Sequence, residues 1–160
     1  MVIKRAGNNK GTMVVEFALV LPMFLLLIFA IIDFGWYFFV QHTLQFATRE
    51  GTRLALVGGQ LKDAQGNRLS REASIVKTIT GYASLAVDPG KLNINIFPVG
   101  SNYSDPADWT KETNAGGPGD YMRVRTRYTY IFLTPLIAAF FPGGKIQLEA
   151  EGTYKNEMFD

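Results

Sequence analysis

Cysteine is absent from the 160 residues, and histidine occurs once, at His42. The first absence removes disulfide frameworks, thiol nucleophiles and thiolate metal sites; the second leaves no histidine pair for a metal site. Charge of one sign is also scarce. A net charge of +2 gives no electrostatic footprint for nucleic acid. Tyr128, Tyr130 and Phe132 lie close to Arg123, Arg125 and Arg127, but Glu149 and Glu151 in the closing segment balance those cations. The one glycine-rich run, "GGPG" at 116–119, lacks the lysine and helix that a phosphate-binding loop needs. Asp105, Asp108, Glu112 and Asp120 share a polar loop, yet their spacing does not follow a calcium-binding EF-hand. No catalytic set, metal site or cofactor site is expected, and neither nucleic acid nor a small-molecule substrate is an expected partner. The chain does not read as an enzyme.

What the chain has instead is one long apolar run. Residues 1–10, "MVIKRAGNNK", carry Lys4, Arg5 and Lys10 and no acid. Phe17 to Val40 is then apolar apart from Asp33, long enough to cross a bilayer as a helix. A secretory signal would have a shorter apolar stretch ending in small residues. Here the run ends in "GWYFFVQ", where Trp36 and Tyr37 are placed as an interfacial aromatic belt. The run therefore reads as a retained single-pass anchor. The basic flank puts the amino-terminal side in the cytoplasm and the rest outside.

Helical periodicity continues past the apolar run. Val40, Leu44, Ala47, Gly51 and Leu54 make a narrow stripe, with Gln41, Thr43, Thr48, Arg49, Glu50 and Arg53 between them for water. The helix should extend to about Val57, where "GGQ" stops it. Gly51 inside it costs about 1 kcal/mol relative to alanine; either another backbone approaches closely there, or the glycine is simply tolerated. Ser70 caps a second helix from Arg71 to about Ala86, with Ile75, Ile79, Tyr82 and Ala86 as its buried stripe. Three alternating segments follow: "KLNINIFPV", "YMRVRTRYTYIF" and "KIQLEAEGTY", with "LTPL" a short turn of helix before the last. Arginines face outward on the second and glutamates on the third, as suits antiparallel neighbours. The expected fold is α+β: a long amino-terminal transmembrane helix extending outside the membrane, a second helix, and a small antiparallel sheet of about three strands. One face of that sheet should lie on the helices and the other in water.

Two acids interrupt the anchor. Glu16 and Asp33 are about 25 Å apart along a helix, against a hydrocarbon core about 30 Å thick. Asp33 is placed to reach headgroups or water at the outer edge. Glu16 gains from the helix dipole, but a second role arises if the chain is cut after Gly11. Thr12 then becomes a charged amino terminus one turn from Glu16. In lipid, such a carboxylate can pair with the ammonium of a neighbouring subunit and fix the register between helices.

The string "GTMVVEF" after a basic leader resembles the processing site of type IV prepilins. The longer "GTMVVEFALVLPMFLLLIFAIIDFGWYFF" with "TREGTR" is similar to the TadE-like family, minor pilins or pseudopilins of the Flp/Tad (type IVb) pilus assembly system. That resemblance implies prepilin-peptidase cleavage after Gly11, Thr12 as the mature terminus and Glu16 as the family's acid. It also places Pro22 where such helices carry a proline, and Arg49, Glu50 and Arg53 in the family's post-membrane signature. Implied partners are the membrane, the prepilin peptidase, other pilin-like subunits and the pilus assembly machinery. The implied location is the bacterial inner membrane, with the carboxy-terminal domain periplasmic or carried into a surface pilus. The corresponding segments are a basic leader at 1–11, a transmembrane helix with its extension at 12–57, and a small α+β domain at 58–160. The alternative from a different class is an uncleaved single-pass scaffold or binding module.

Overall fold

The computed structural model describes residues 9–158, with backbone only for Asn9 and Lys10. Lys4 and Arg5 lie outside the described residues, as does the side chain of Lys10. A single helix, α1 (Asn9–Leu56), runs for 48 residues and passes through Pro22 as one element. Gly58 ends it with φ of 65°, the left-handed conformation that a side chain disfavours. The Gly58 and Gly59 N–H groups donate to the Ala55 and Leu54 carbonyls, both at 3.0 Å, and close the last turn.

The second helix, α2 (Arg71–Ala83), starts as its sequence dictates: the Ser70 side chain accepts from Ala73 N. Its buried residues are Ser74, Ile75, Ile79 and Ala83. Tyr82 is exposed and Ala86 lies beyond the helix and is half-buried, so the expected stripe is rotated. Ser74 explains the rotation, because its hydroxyl is satisfied inside: it donates to Ser70 O and accepts from Leu61 N. The hydroxyl therefore carries no unmet polar cost into the core.

Three strands, β1 (Leu92–Pro98), β2 (Tyr121–Ile131) and β3 (Lys145–Lys155), form one antiparallel sheet in that order. Between β2 and β3 the chain makes a short helix, α3 (Pro135–Ala138). The inner face of the sheet carries Ile96, Met122, Val124, Leu148 and Ala150 against the distal half of α1 and against α2. Val40, Leu44, Ala47, Gly51 and Ala55 are buried there, whereas Leu54 is only half-buried. Thr48, read from sequence as facing water, is 1% exposed. It donates within its own helix to Leu44 O and meets Thr126 Oγ1 at 2.7 Å, so two buried hydroxyls satisfy each other across the helix–sheet seam.

The outer face is wet as expected along β3, where Gln147, Glu149, Glu151 and Thr153 are exposed, but it is covered over β1 and the middle of β2. Residues 100–113 fold back over it, with Ile96 bridging Thr113 in parallel. Trp109 lies against Phe97, which is fully buried, and over the guanidinium groups of Arg125 and Arg127 at 4.4 and 4.6 Å. Arg125 pairs with Glu151 at 2.5 Å, Asp105 at 2.8 Å and Glu149 at 3.2 Å, while Arg123 also binds Asp105. The expected arginine–glutamate complementarity is present in the register Arg125↔Glu151 and Arg127↔Glu149. Burial alone would lower the pKa of Arg125, but hydrogen bonds to Glu151 and Asp105 outweigh it and leave the group more basic than usual.

Candidate functional site: a bare stem and the seam that holds the head

The helix α1 divides into two lengths with different surroundings. From Gly11 to Ile32 its large apolar side chains stand exposed, Met23 at 75% and Leu19 at 69% among them. From Asp33 to Leu56 one face of it joins the head's core, while Phe34, Trp36, Phe38, Phe39 and Phe46 stay exposed on the others. The bare length is about 22 residues, or about 33 Å of helix, close to the hydrocarbon thickness of a bilayer. By length and composition it is a candidate membrane span.

Asp33 marks the transition, and its role differs from the one read from sequence. It is 0% exposed and does not reach headgroups or water. Its carboxylate accepts from Leu133 N at 2.6 Å, from Thr134 N at 3.1 Å, and from the Thr134 hydroxyl in a very short bond. Leu133 and Thr134 immediately precede α3, so Asp33 ties the chain to α1 at the point where α3 begins. The Tyr130 hydroxyl donates to the Asp33 carbonyl at 3.3 Å, and its pKa is pushed up to about 12, chiefly by burial. Tyr37 packs edge-on against Tyr130 at 5.6 Å and is half-buried. Trp36 is 43% exposed, so of the expected aromatic belt only Trp36 keeps an open surface.

Gly51 is the second element of the seam. A Cβ there would lie 2.3 Å from Ile79 Cγ1, so the glycine admits α2 closely. The group that approaches is a side chain, which is neither the backbone of one sequence reading nor the merely tolerated glycine of the other. Gly152 does the same for β3, where a Cβ would fall 2.5 Å from Thr52 Oγ1. Arg71 ties the distal end together, donating to Gly116 O at 2.6 Å, Ala55 O at 3.1 Å and Asn156 Oδ1 at 3.1 Å. No local motif marks Arg71, since its partners come from three distant segments.

The remaining sequence-derived residues fall into two groups. Exposed Arg53 and half-buried Glu50 form an ion pair at 2.9 Å beside an open groove of about 760 Å³ between α1 and α2. Arg49 turns the other way, beside Glu149 and Glu151 of β3. The "REGTR" stretch thus places one arginine toward the sheet, one toward α2, and a glycine in the tight contact between them. Gly11, Thr12, Glu16 and Pro22 lie on the bare stem and are exposed. Among the described residues Glu16 meets no cation, and α1 begins at Asn9, so Glu16 is past its first turn. Gly11 and Thr12 are helical. The loop acids do not converge: Asp105 is committed to the arginines, and Asp120 accepts from Gly117 N.

A long apolar stem fused into the core of a small α+β head fits a single-pass membrane protein. Residues 11–53 match the family described as TadE-like protein; residues 54–160 lie outside the match. The matched segment suggests a membrane-anchored protein associated with a Tad pilus system. No curated protein and no solved structure matches the chain.

Proposed function

We propose that this is a pilin-like, membrane-anchored subunit for assembly of a Tad/Flp-type pilus. In this reading a prepilin peptidase removes the basic leader, residues 1–11, by cutting between Gly11 and Thr12. Residues 12–57 are the membrane helix and its extension, and 58–160 complete a periplasmic α+β domain. The supporting observation is the coincidence of three features in one segment. The TadE-like match begins at Gly11, the stem is bare from there to Ile32, and Glu16 stands on it without a cation among the described residues. Cleavage creates an ammonium at Thr12. An unpaired carboxylate in lipid costs about 3 kcal/mol at mid-membrane, so a Glu16–ammonium pair between subunits would favour one helical register over others. Pro22 removes one backbone hydrogen bond from the same stem. The reading assigns this protein binding and assembly partners and no catalytic step.

One observation favours the alternative of an uncleaved membrane scaffold: the Gly11–Thr12 bond lies in the first turn of α1, which a peptidase would have to unwind. Mass measurement of the protein from membranes, with and without the peptidase, separates the two. Loss of residues 1–11 only when the peptidase is present supports processing. An intact amino terminus in both, with the head still functional, supports the scaffold. Gly11→Leu should block the cut in the first case and leave the mass unchanged in the second.

A further inference from the structure

We propose that the underside of the head is a second membrane contact, in which the β2–α3–β3 connection lies in the outer bilayer interface beside the stem. The inference rests on the reading of α1 as a membrane span. The strand β2 runs antiparallel to α1: Thr126 meets Thr48, and Tyr130 meets Asp33. The connection after β2 is thereby brought to the membrane-proximal end of the head, at the height where the bare stem stops.

That connection carries an apolar surface with no protein neighbour. Ile131 is 65% exposed, Leu133 56%, Leu136 43% and Phe140 69%. Between them Phe132 and Ile137 are buried, so the connection is folded onto the head and holds its exposed members outward. Much of its backbone is satisfied locally, which favours entry into a low-dielectric zone. Asp33 binds the Leu133 and Thr134 N–H groups, and the Ala138 and Ala139 N–H groups donate to the Thr134 and Pro135 carbonyls. Residues 131–144 contain no charged residue, and Lys145, exposed at the start of β3, is suited to an anionic headgroup. The occupant is a lipid surface, because this patch is continuous with the apolar surface of the stem: Ala30 packs against the same core cluster that holds Phe132 and Ile137. A patch placed against the last turns of a bilayer-length helix meets lipid without any change in the head.

The chain has no native thiol, so a single introduced cysteine reports alone. Full-length Leu136→Cys and Phe140→Cys proteins, labelled with an environment-sensitive fluorophore, would be reconstituted in phosphatidylcholine–phosphatidylglycerol vesicles. Nitroxide quenchers would be carried at shallow or deep acyl positions. Ile28→Cys on the stem and Ser101→Cys in the loop at the opposite end of β2 serve as references. The expected result is a blue shift and loss of emission at 136 and 140, stronger with the shallow quencher, with Ile28 quenched by the deep one and Ser101 unaffected. The inference is overturned if 136 and 140 behave like Ser101 while Ile28 is quenched, which leaves the span intact. It is also overturned if their shielding disappears on dilution in lipid, which assigns the patch to a second copy of the chain. An unquenched Ile28 removes the span itself, and this inference with it.

Discussion

Replacing Asp33 by alanine removes one acceptor group from three donors at once, two of them backbone N–H groups. Hydrogen bonds to charged groups contribute about 1.5–3 kcal/mol each, and a buried donor left unpaired costs about 1–3 kcal/mol. Part of that loss is returned, because the carboxylate no longer has to be desolvated and water can reach the donors once the seam opens. A net cost of about 3 kcal/mol follows, concentrated in α3 and its flanks. Asp33→Asn keeps one accepting oxygen and should lose about half as much. The suitable assay is amide hydrogen exchange on the full chain in lipid nanodiscs, read on peptides covering residues 132–140. A cost of about 3 kcal/mol corresponds to about a hundredfold faster opening of Leu133 and Thr134, by the rule of a tenfold change per 1.4 kcal/mol, with β2 and α2 little changed. If Asp33→Ala exchanges like the parent, or Asp33→Leu is more protected than either, desolvation of the carboxylate outweighs its bonds. The clamp is then not what holds the head to the stem.

Three further outcomes are expected. Gly51→Ala gains about 1 kcal/mol of helix propensity but presses a methyl into Ile79, and overpacking costs about 1–3 kcal/mol, so denaturant melts should show a net loss. Ile79→Ala costs about 2–5 kcal/mol by itself, and the two changes together should cost less than the sum of their separate losses; strict additivity would show that the contact is relaxed at no cost. Tyr154 is pushed up to about 12 by burial, against the lowering effect of Arg71 and with a small addition from Glu72. Its folded pKa exceeds the unfolded value of about 10, so its contribution is complete below pH 10 and declines as pH rises from there toward 12. Tyr154→Phe should flatten the alkaline limb of a plot of thermal midpoint against pH. For Glu72, burial raises the pKa, but hydrogen bonds from its own N–H, from Ala115 N and from Ser70 outweigh that and leave it below the ordinary 4.5. The contribution is present above pH 4.5 and lost as pH falls through the lowered value, so Glu72→Gln should make stability less dependent on pH in that acid range.

The strands and the caps were legible because their signals are local. Alternation in "KIQLEAEGTY" places Leu148 and Ala150 inward without reference to the rest of the chain, and Ser70 caps α2 with a residue three positions away. What was not legible depends on distant partners. Asp33 resembles any charge near the end of a membrane helix until residues 100 and 101 positions later donate to it. Arg125 alternates with the core residues and so reads as solvent-facing, yet the fold-back carrying Asp105 and Trp109 leaves it 8% exposed. Gly11, Glu16 and Pro22 lie where nothing in the head touches them, so the sequence is all there is to read.

The unbroken course of α1 through both halves has a mechanical consequence. If the stem lies in lipid, as proposed above, there is no hinge between it and the part of α1 that enters the core of the head, so a pull on the head is felt directly along the stem. About 33 Å of greasy rod must come out with it. Water offers that rod no shelter, so any machine that lifts this protein from its bilayer has to receive it among other apolar helices during the same movement.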